Sequence, residues 1–149
     1  STLIAELTEV IIPSTTSPGA KEALVHEYII RYMEECSSMK EYNNFVNGLK
    51  DLQEDCENNY NHNFEKCTAV EKIEVIENLD NNHGTISILT KISNKLQGRS
   101  FFDILKSLTI EGYCTSEIGA TKLLAYQLIP GKYIPITNLK AGQKAWATK

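Results

Sequence analysis

The sequence predicts an all-α fold, a single-domain bundle of about six helices with an irregular extended C-terminal arm. Three observations predict it. Apolar residues recur at three-and-four spacing through most of the chain, no period-two alternation persists long enough to suggest a sheet, and Pro and Gly fall mainly between the periodic segments. With 149 residues the chain can bury one real core but not two ordinary ones. Residues 1–149 therefore read as one domain, with a helical body over 2–127 and an extended arm over 128–149.

The first helix is expected over 2–12, where Leu3, Leu7 and Val10 form one stripe before Pro13 ends the run. Ser14 to Ser17 make a polar connector. In the second helix Ser17 is the expected N-cap and Pro18 takes the tolerated first position, while Val25, Tyr28, Ile29, Tyr32, Met33 and Cys36 mark the buried face. A third helix over 39–56 turns Tyr42, Phe45, Val46, Leu49, Leu52 and Cys56 inward, and the Asn-rich stretch from Glu57 to Glu65 reads as a loop. Thr68 and Glu71 form a capping box for a fourth helix with Ile73, Ile76 and Leu79, stopped by Asn81-Asn82-His83-Gly84.

Helical spacing returns over 85–97 through Ile88, Leu89, Ile92 and Leu96, despite a high β-branched content. After Gly98 a further helix begins at Phe101, carries Ile104, Leu105 and Leu108, stops near Gly112 and restarts at a Thr115/Ser116 cap. Beyond Leu128, Pro130, Gly131, Pro135 and Gly142 forbid long regular structure, so the arm is expected to lie on the helical body or on a partner.

Composition excludes several function classes. A net charge of -4 with interspersed signs gives no basic stripe for phosphates, which argues against nucleic acid. Glu54, Asp55 and Glu57 read as a solvated helix end. No run approaches the roughly 18 apolar residues of a membrane span. Residues 1–12 lack the basic start and cleavage motif of a signal peptide.

A catalytic constellation is not expected either. No glycine-rich turn follows a strand, so FAD or NAD binding of the dinucleotide-fold kind is not anticipated in this chain. Cys36, Cys56, Cys67 and Cys114 are too few and dispersed for a disulfide framework; if one bridge forms, Cys56 and Cys67 are the nearest pair. His62 lies between those two, but Cys-x5-His-x4-Cys matches no standard zinc spacing and lacks a fourth ligand. His26 reads as a packed or partly exposed helix residue and His83 as a turn residue. No metal site is expected.

Two blocks carry a family likeness: Thr16-Ser17-Pro18-Gly19-Ala20 followed by Val25-His26-Glu27-Tyr28-Ile29, and the segment Phe101 to Tyr133 with its Leu-Thr-Ile-Glu-Gly-Tyr-Cys-Thr-Ser-Glu-Ile-Gly core. In order and spacing they resemble the gluconate 2-dehydrogenase subunit 3 family, the small subunits of bacterial flavin-dependent sugar and sugar-acid dehydrogenases. Cys114 stands where the family usually has a second aromatic residue, and Ile134-Pro135-Ile136 lacks the Gly-Cys pair that many members carry.

The resemblance implies a non-catalytic small subunit. Its partner would be a large flavoprotein of the glucose-methanol-choline type, with FAD held there and none in this chain, and electrons would pass to a cytochrome c subunit or a quinone. It also implies a periplasmic or otherwise exported complex, in which the small subunit supports maturation, stability and co-export. The isolated chain could form a homodimer in place of the missing partner. The alternative is a free-standing helical binding domain; a hydrolase or metal enzyme built around Cys56 to Cys67 is disfavoured for want of a complete site.

Two readings stay open for the corner between Glu111 and Glu117. Glu117 supports the next helix N-terminus, an effect of about 0.3 to 1 kcal/mol, or Tyr113, Thr115, Ser116 and Glu117 form a surface corner for the large subunit. In the tail, Trp146 is an aromatic anchor, docked on the chain's own helices in preference to a partner. Tyr126, Tyr133 and Trp146 complete the candidate interface.

Overall fold

In the computed structural model, residues 2–83, 98–129, 131–132, 136 and 138–147 are described. They contain five α-helices: α1 (Thr2–Ile11), α2 (Val25–Glu35), α3 (Met39–Tyr60), α4 (Ala69–His83) and α5 (Phe101–Thr115). A 3-10 turn, Phe64–Lys66, precedes α4, and a π-helical turn, Gly119–Leu123, follows α5. Among the described residues there is no strand, only an isolated parallel bridge between Ala125 and Trp146. The all-α class stands. The helix expected over 85–97 lies outside the described residues.

Local chemistry accounts for most helix starts. The Glu41 amide donates to the Ser38 hydroxyl at 3.2 Å, and the Asp103 amide donates to the Ser100 hydroxyl at 3.2 Å, each relieving one orphan donor. The capping box at α4 closes as expected, with the Thr68 amide donating to Glu71 Oε2 at 2.7 Å and the Glu71 amide donating to Thr68 Oγ1 at 3.4 Å.

α5 lies at the centre of the bundle and packs against α1, α2, α3 and α4. Its residues Phe102, Ile104, Leu105, Leu108, Thr109 and Tyr113 are buried, and Leu7, Val25, Ile29, Phe45 and Leu52 meet them from the other helices. Each fully buried side chain of this kind contributes about 1.5–3 kcal/mol relative to an exposed one. Close approach of α3 to α5 depends on Gly48, where a Cβ would come within 2.3 Å of the Phe101 side chain. Phe101 stacks at an angle on Phe45, with centroids 5.4 Å apart. The buried threonine hydroxyls of Thr8 and Thr109 are satisfied within their own helices: Thr8 donates to Ala5 O at 3.0 Å and Thr109 to Leu105 O at 2.7 Å.

The structure corrects several boundaries. α2 starts at Val25 rather than Pro18, because residues 18–24 fold back over the end of α1. The Glu9 carboxylate accepts the Ser14 and Lys21 amides at 3.0 and 2.9 Å, and the Ala20 amide donates to Ile12 O at 2.9 Å. A helix begun at Pro18 would break this set. Leu24 closes the segment with φ +53°, a left-handed conformation that a branched side chain rarely adopts.

α3 continues past Cys56 to Tyr60, so only the end of the Asn-rich stretch is loop, and Asn61 with φ +59° terminates the helix. α4 runs over Asn81 to His83. α5 passes through Gly112, which does not break it: a Cβ there would come within 2.6 Å of the Tyr28 ring, so the glycine serves packing instead. Three residues assigned to buried faces are exposed. Cys36 is the C-cap of α2, Tyr42 lies in the first turn of α3, and Ile73 of α4 lines an open groove against Val10.

Candidate partner-docking surface

The string from Gly112 to Gly119 folds into a tightly specified corner. Tyr113 is fully buried, and its hydroxyl donates to Pro18 O at 2.6 Å. Ser116 stops α5 in an extended conformation, donates to Tyr113 O at 2.7 Å and accepts the Gly119 amide at 2.9 Å. It therefore ends one helix and caps the following turn, as the expected restart requires. Gly119 tolerates no side chain, since a Cβ would fall 1.8 Å from Tyr113 O.

This geometry sorts the candidate interface residues. Tyr113 is withdrawn from the surface, because its ring completes the core between α5 and the 18–24 segment, and it has no area to offer a partner. Thr115 is exposed, with its hydroxyl turned back to Glu111 O at 2.7 Å, Ser116 is half-buried, and Glu117 is exposed on the first residue after the cap. The Glu117 carbonyl accepts the Thr121 hydroxyl at 2.7 Å. Tyr126 and Trp146 are 47% and 56% exposed. Tyr133 lies outside the described residues.

The end of the described arm returns to residues 122–125, where the helical body ends, and leaves several apolar side chains exposed. The Ala125 amide donates to Ala145 O at 2.7 Å and the Ala147 amide to Ala125 O at 2.9 Å, while Lys144 Nζ donates to Lys122 O. Trp146 is held between these two backbone bonds while its side chain stays largely in solvent. Leu128, Ile129, Ile136 and Leu139 are 76–88% exposed. Sequence reasoning named the aromatic residues of this surface and missed these four aliphatic ones. The signal was present: apolar residues persist where Pro and Gly prevent a helix that could bury them.

Away from the arm, a groove of about 340 Å³ runs between α1 and α4, with Val10, Pro13, Ala69 and Ile73 on its walls. At its edge Glu6 pairs with Lys21 at 2.6 Å and Lys72 at 2.9 Å. Burial raises the Glu6 pKa, but hydrogen bonds and charge from the two lysines outweigh it and hold the carboxyl below its ordinary value. The Tyr28 hydroxyl is pushed up, first by burial and then by the neighbouring Glu111 charge. These groups tie elements together and do not converge on a reacting centre.

The remaining cluster is Cys56, His62 and Cys67. Cys67 Sγ lies 3.5 Å from His62 Nδ1, and burial pushes the Cys56 thiol up to about 12. All four cysteines are free thiols. Among the described residues no group of three or more His, Cys, Asp or Glu side chains could hold a metal ion, and no helix is long and apolar enough to cross a membrane.

The sequence-family model for gluconate 2-dehydrogenase subunit 3 matches residues 1–131. No curated protein and no solved structure gives a significant match.

Proposed function

Because this chain belongs to the gluconate 2-dehydrogenase subunit 3 family, and hence to the subunits of a dehydrogenase complex, we propose that it is the non-catalytic small subunit that docks on and supports a flavoprotein large subunit. The large subunit is of the glucose-methanol-choline type. It holds FAD, oxidises a hydroxyl of a sugar or sugar acid in the periplasm, and passes electrons to a cytochrome c subunit or a quinone. The small subunit assists maturation, stability and co-export of that partner.

The observation that carries this reading is the arm. Leu128, Ile129, Ile136, Leu139, Tyr126 and Trp146 are all exposed within residues 126–146, where the described residues form no helix. Isolated apolar residues on a surface need no explanation, but such a concentration marks a surface that is covered in an assembly. Thr115 and Glu117, at the exposed corner before the arm, extend the polar edge of this surface. A specific interface of ordinary size takes about 800 Å² from each partner, which the arm and corner can supply without any reacting group.

The test is an affinity pull-down of the tagged chain from its native cells, with an absorbance spectrum and mass spectrometry of what co-elutes. A stoichiometric flavoprotein with sugar-dependent dye reduction, active while the isolated chain is inert, is the expected result. A colourless chain that recovers no large partner under gentle conditions would leave a free-standing binding domain in its place.

A further inference from the structure

Charge is divided unevenly along this chain. Residues 118–149 carry five lysines and no Asp or Glu, whereas residues 1–117 carry ten Lys and Arg against nineteen Asp and Glu. In the arm, Lys122, Lys132, Lys140 and Lys144 are exposed among apolar residues that are exposed as well. The arm is therefore both apolar and uniformly basic.

The helical body presents the complementary surface. The groove of about 340 Å³ between α1 and α4 continues into a second hollow of about 280 Å³, because Val10 and Ile73 line both, and Ile11, Ile76 and Phe102 add apolar walls to the second. Ile73 is 50% exposed and Val70 beside it on α4 is 75% exposed, so no described segment of the chain covers this strip. Glu6 and Glu9 border one hollow with Lys72; Glu77 and Asp80 border the other with Lys106. Lys72 is held by Glu6 at 2.9 Å. The pair of Lys106 with Asp80 at 2.8 Å is exposed on both sides, so exchanging its partner costs little.

We propose that, without its flavoprotein, the chain forms a dimer in which the arm of each copy docks into the α1–α4 groove of the other. Aliphatic side chains of the arm fill the two hollows, and its lysines face Glu77 and Asp80. The end of the arm is tied to Ala125 by two backbone hydrogen bonds while the groove of the same chain stays open, which leaves that groove to a second copy. Reciprocal docking forms two contacts for one loss of translational and rotational freedom, and it closes on itself instead of growing head to tail. Opposite charge on arm and body steers the two copies together. The inference concerns the isolated chain and does not depend on the flavoprotein reading.

The experiment is sedimentation velocity of the purified full chain over about a hundred-fold range of concentration, from low to high micromolar, at low and at high salt. The expected result is a monomer that becomes a dimer with concentration, its association constant falling about 10-fold or more at high salt. Carbodiimide should link arm lysines to Glu77 or Asp80, and a mixture of isotope-labelled and unlabelled chain should show these links joining different copies.

A charge exchange tests the pairing itself. The arm variant Lys132→Glu/Lys140→Glu and the groove variant Glu77→Lys/Asp80→Lys alter exposed residues, and each alone should dimerise about 10-fold or more weakly than the unsubstituted chain. An equal mixture of the two should recover the dimer, because each arm then meets a groove of opposite charge. A chain that stays monomeric at every concentration would overturn the proposal, as would cross-links confined to single chains or a mixture no more associated than its components.

Discussion

The Tyr113 hydroxyl donates to the Pro18 carbonyl at 2.6 Å, joining residues 95 positions apart. The two blocks that carry the family likeness therefore meet in space. Around this bond Gly112 admits the Tyr28 ring, Ser116 turns the chain, and Gly119 lies against Tyr113 O. The most specific string in the sequence is in large part a device that pins α5 to the 18–24 segment. Tyr113→Phe removes the donor and leaves the Pro18 carbonyl half-buried, so it should destabilise the chain by about 1–2 kcal/mol with the helix content unchanged. Urea denaturation followed by circular dichroism measures this.

Gly119→Ala should be far more damaging, because the new methyl would collide with the Tyr113 backbone oxygen and force the corner open. A loss of about 2 kcal/mol or more is expected. Gly131→Ala is the control: nothing lies within 4 Å of a Cβ there, and the change should stay within about 0.5 kcal/mol.

Acid should release the ion pairs at Glu6. Its folded-state pKa lies below the ordinary 4.5, so the unfolded chain takes up this proton at higher pH than the folded one. The contribution is complete above about pH 4.5 and disappears as the pH falls through the lowered value. Glu6→Gln should cost about 1 kcal/mol at pH 7, given the partial exposure of Lys21, and the difference from the unsubstituted chain should shrink on acidification. Thermal melts across pH 3 to 7 read both effects.

The thiols should differ sharply towards iodoacetamide. Cys36 is exposed and should react first, Cys114 next, and Cys67 later; Cys56, buried and with its pKa pushed up to about 12, should wait for local opening. Timed alkylation with peptide mass mapping gives the order, and early labelling of Cys56 would contradict its placement.

Trp146→Ala and Leu139→Asp should leave the melting midpoint of the isolated chain nearly unchanged, because both side chains are mostly in solvent. Both should reduce recovery of the flavoprotein partner, the aspartate by 10-fold or more through burial of an unpaired charge. Unchanged recovery would place the interface elsewhere on the bundle.

The helices were legible because their apolar stripes repeat over several turns, and the Thr68/Glu71 capping box could be placed to the residue. The start of α2 was not. Ser17-Pro18 is a sound helix opening by local rules, and it is overruled by the Glu9 carboxylate from another helix, a contact invisible to any short window. Gly112 misled in a similar way: its low helix propensity signals a break, whereas the Tyr28 ring requires its missing side chain. The candidate surface was half legible. Aromatic residues drew notice by type, while Leu128, Ile129, Ile136 and Leu139 became informative only once their exposure was known, and Tyr113 changed from contact residue to core.

The central place of α5 has a consequence for how the chain is made. A ribosome delivers α1 to α4 first, and none of them can cover its apolar face fully until the helix that touches all four has emerged. The first hundred or so residues must wait unclosed, a state that attracts chaperones and proteases. Completion of the fold is thereby tied to synthesis of the segment that leads into the exposed arm.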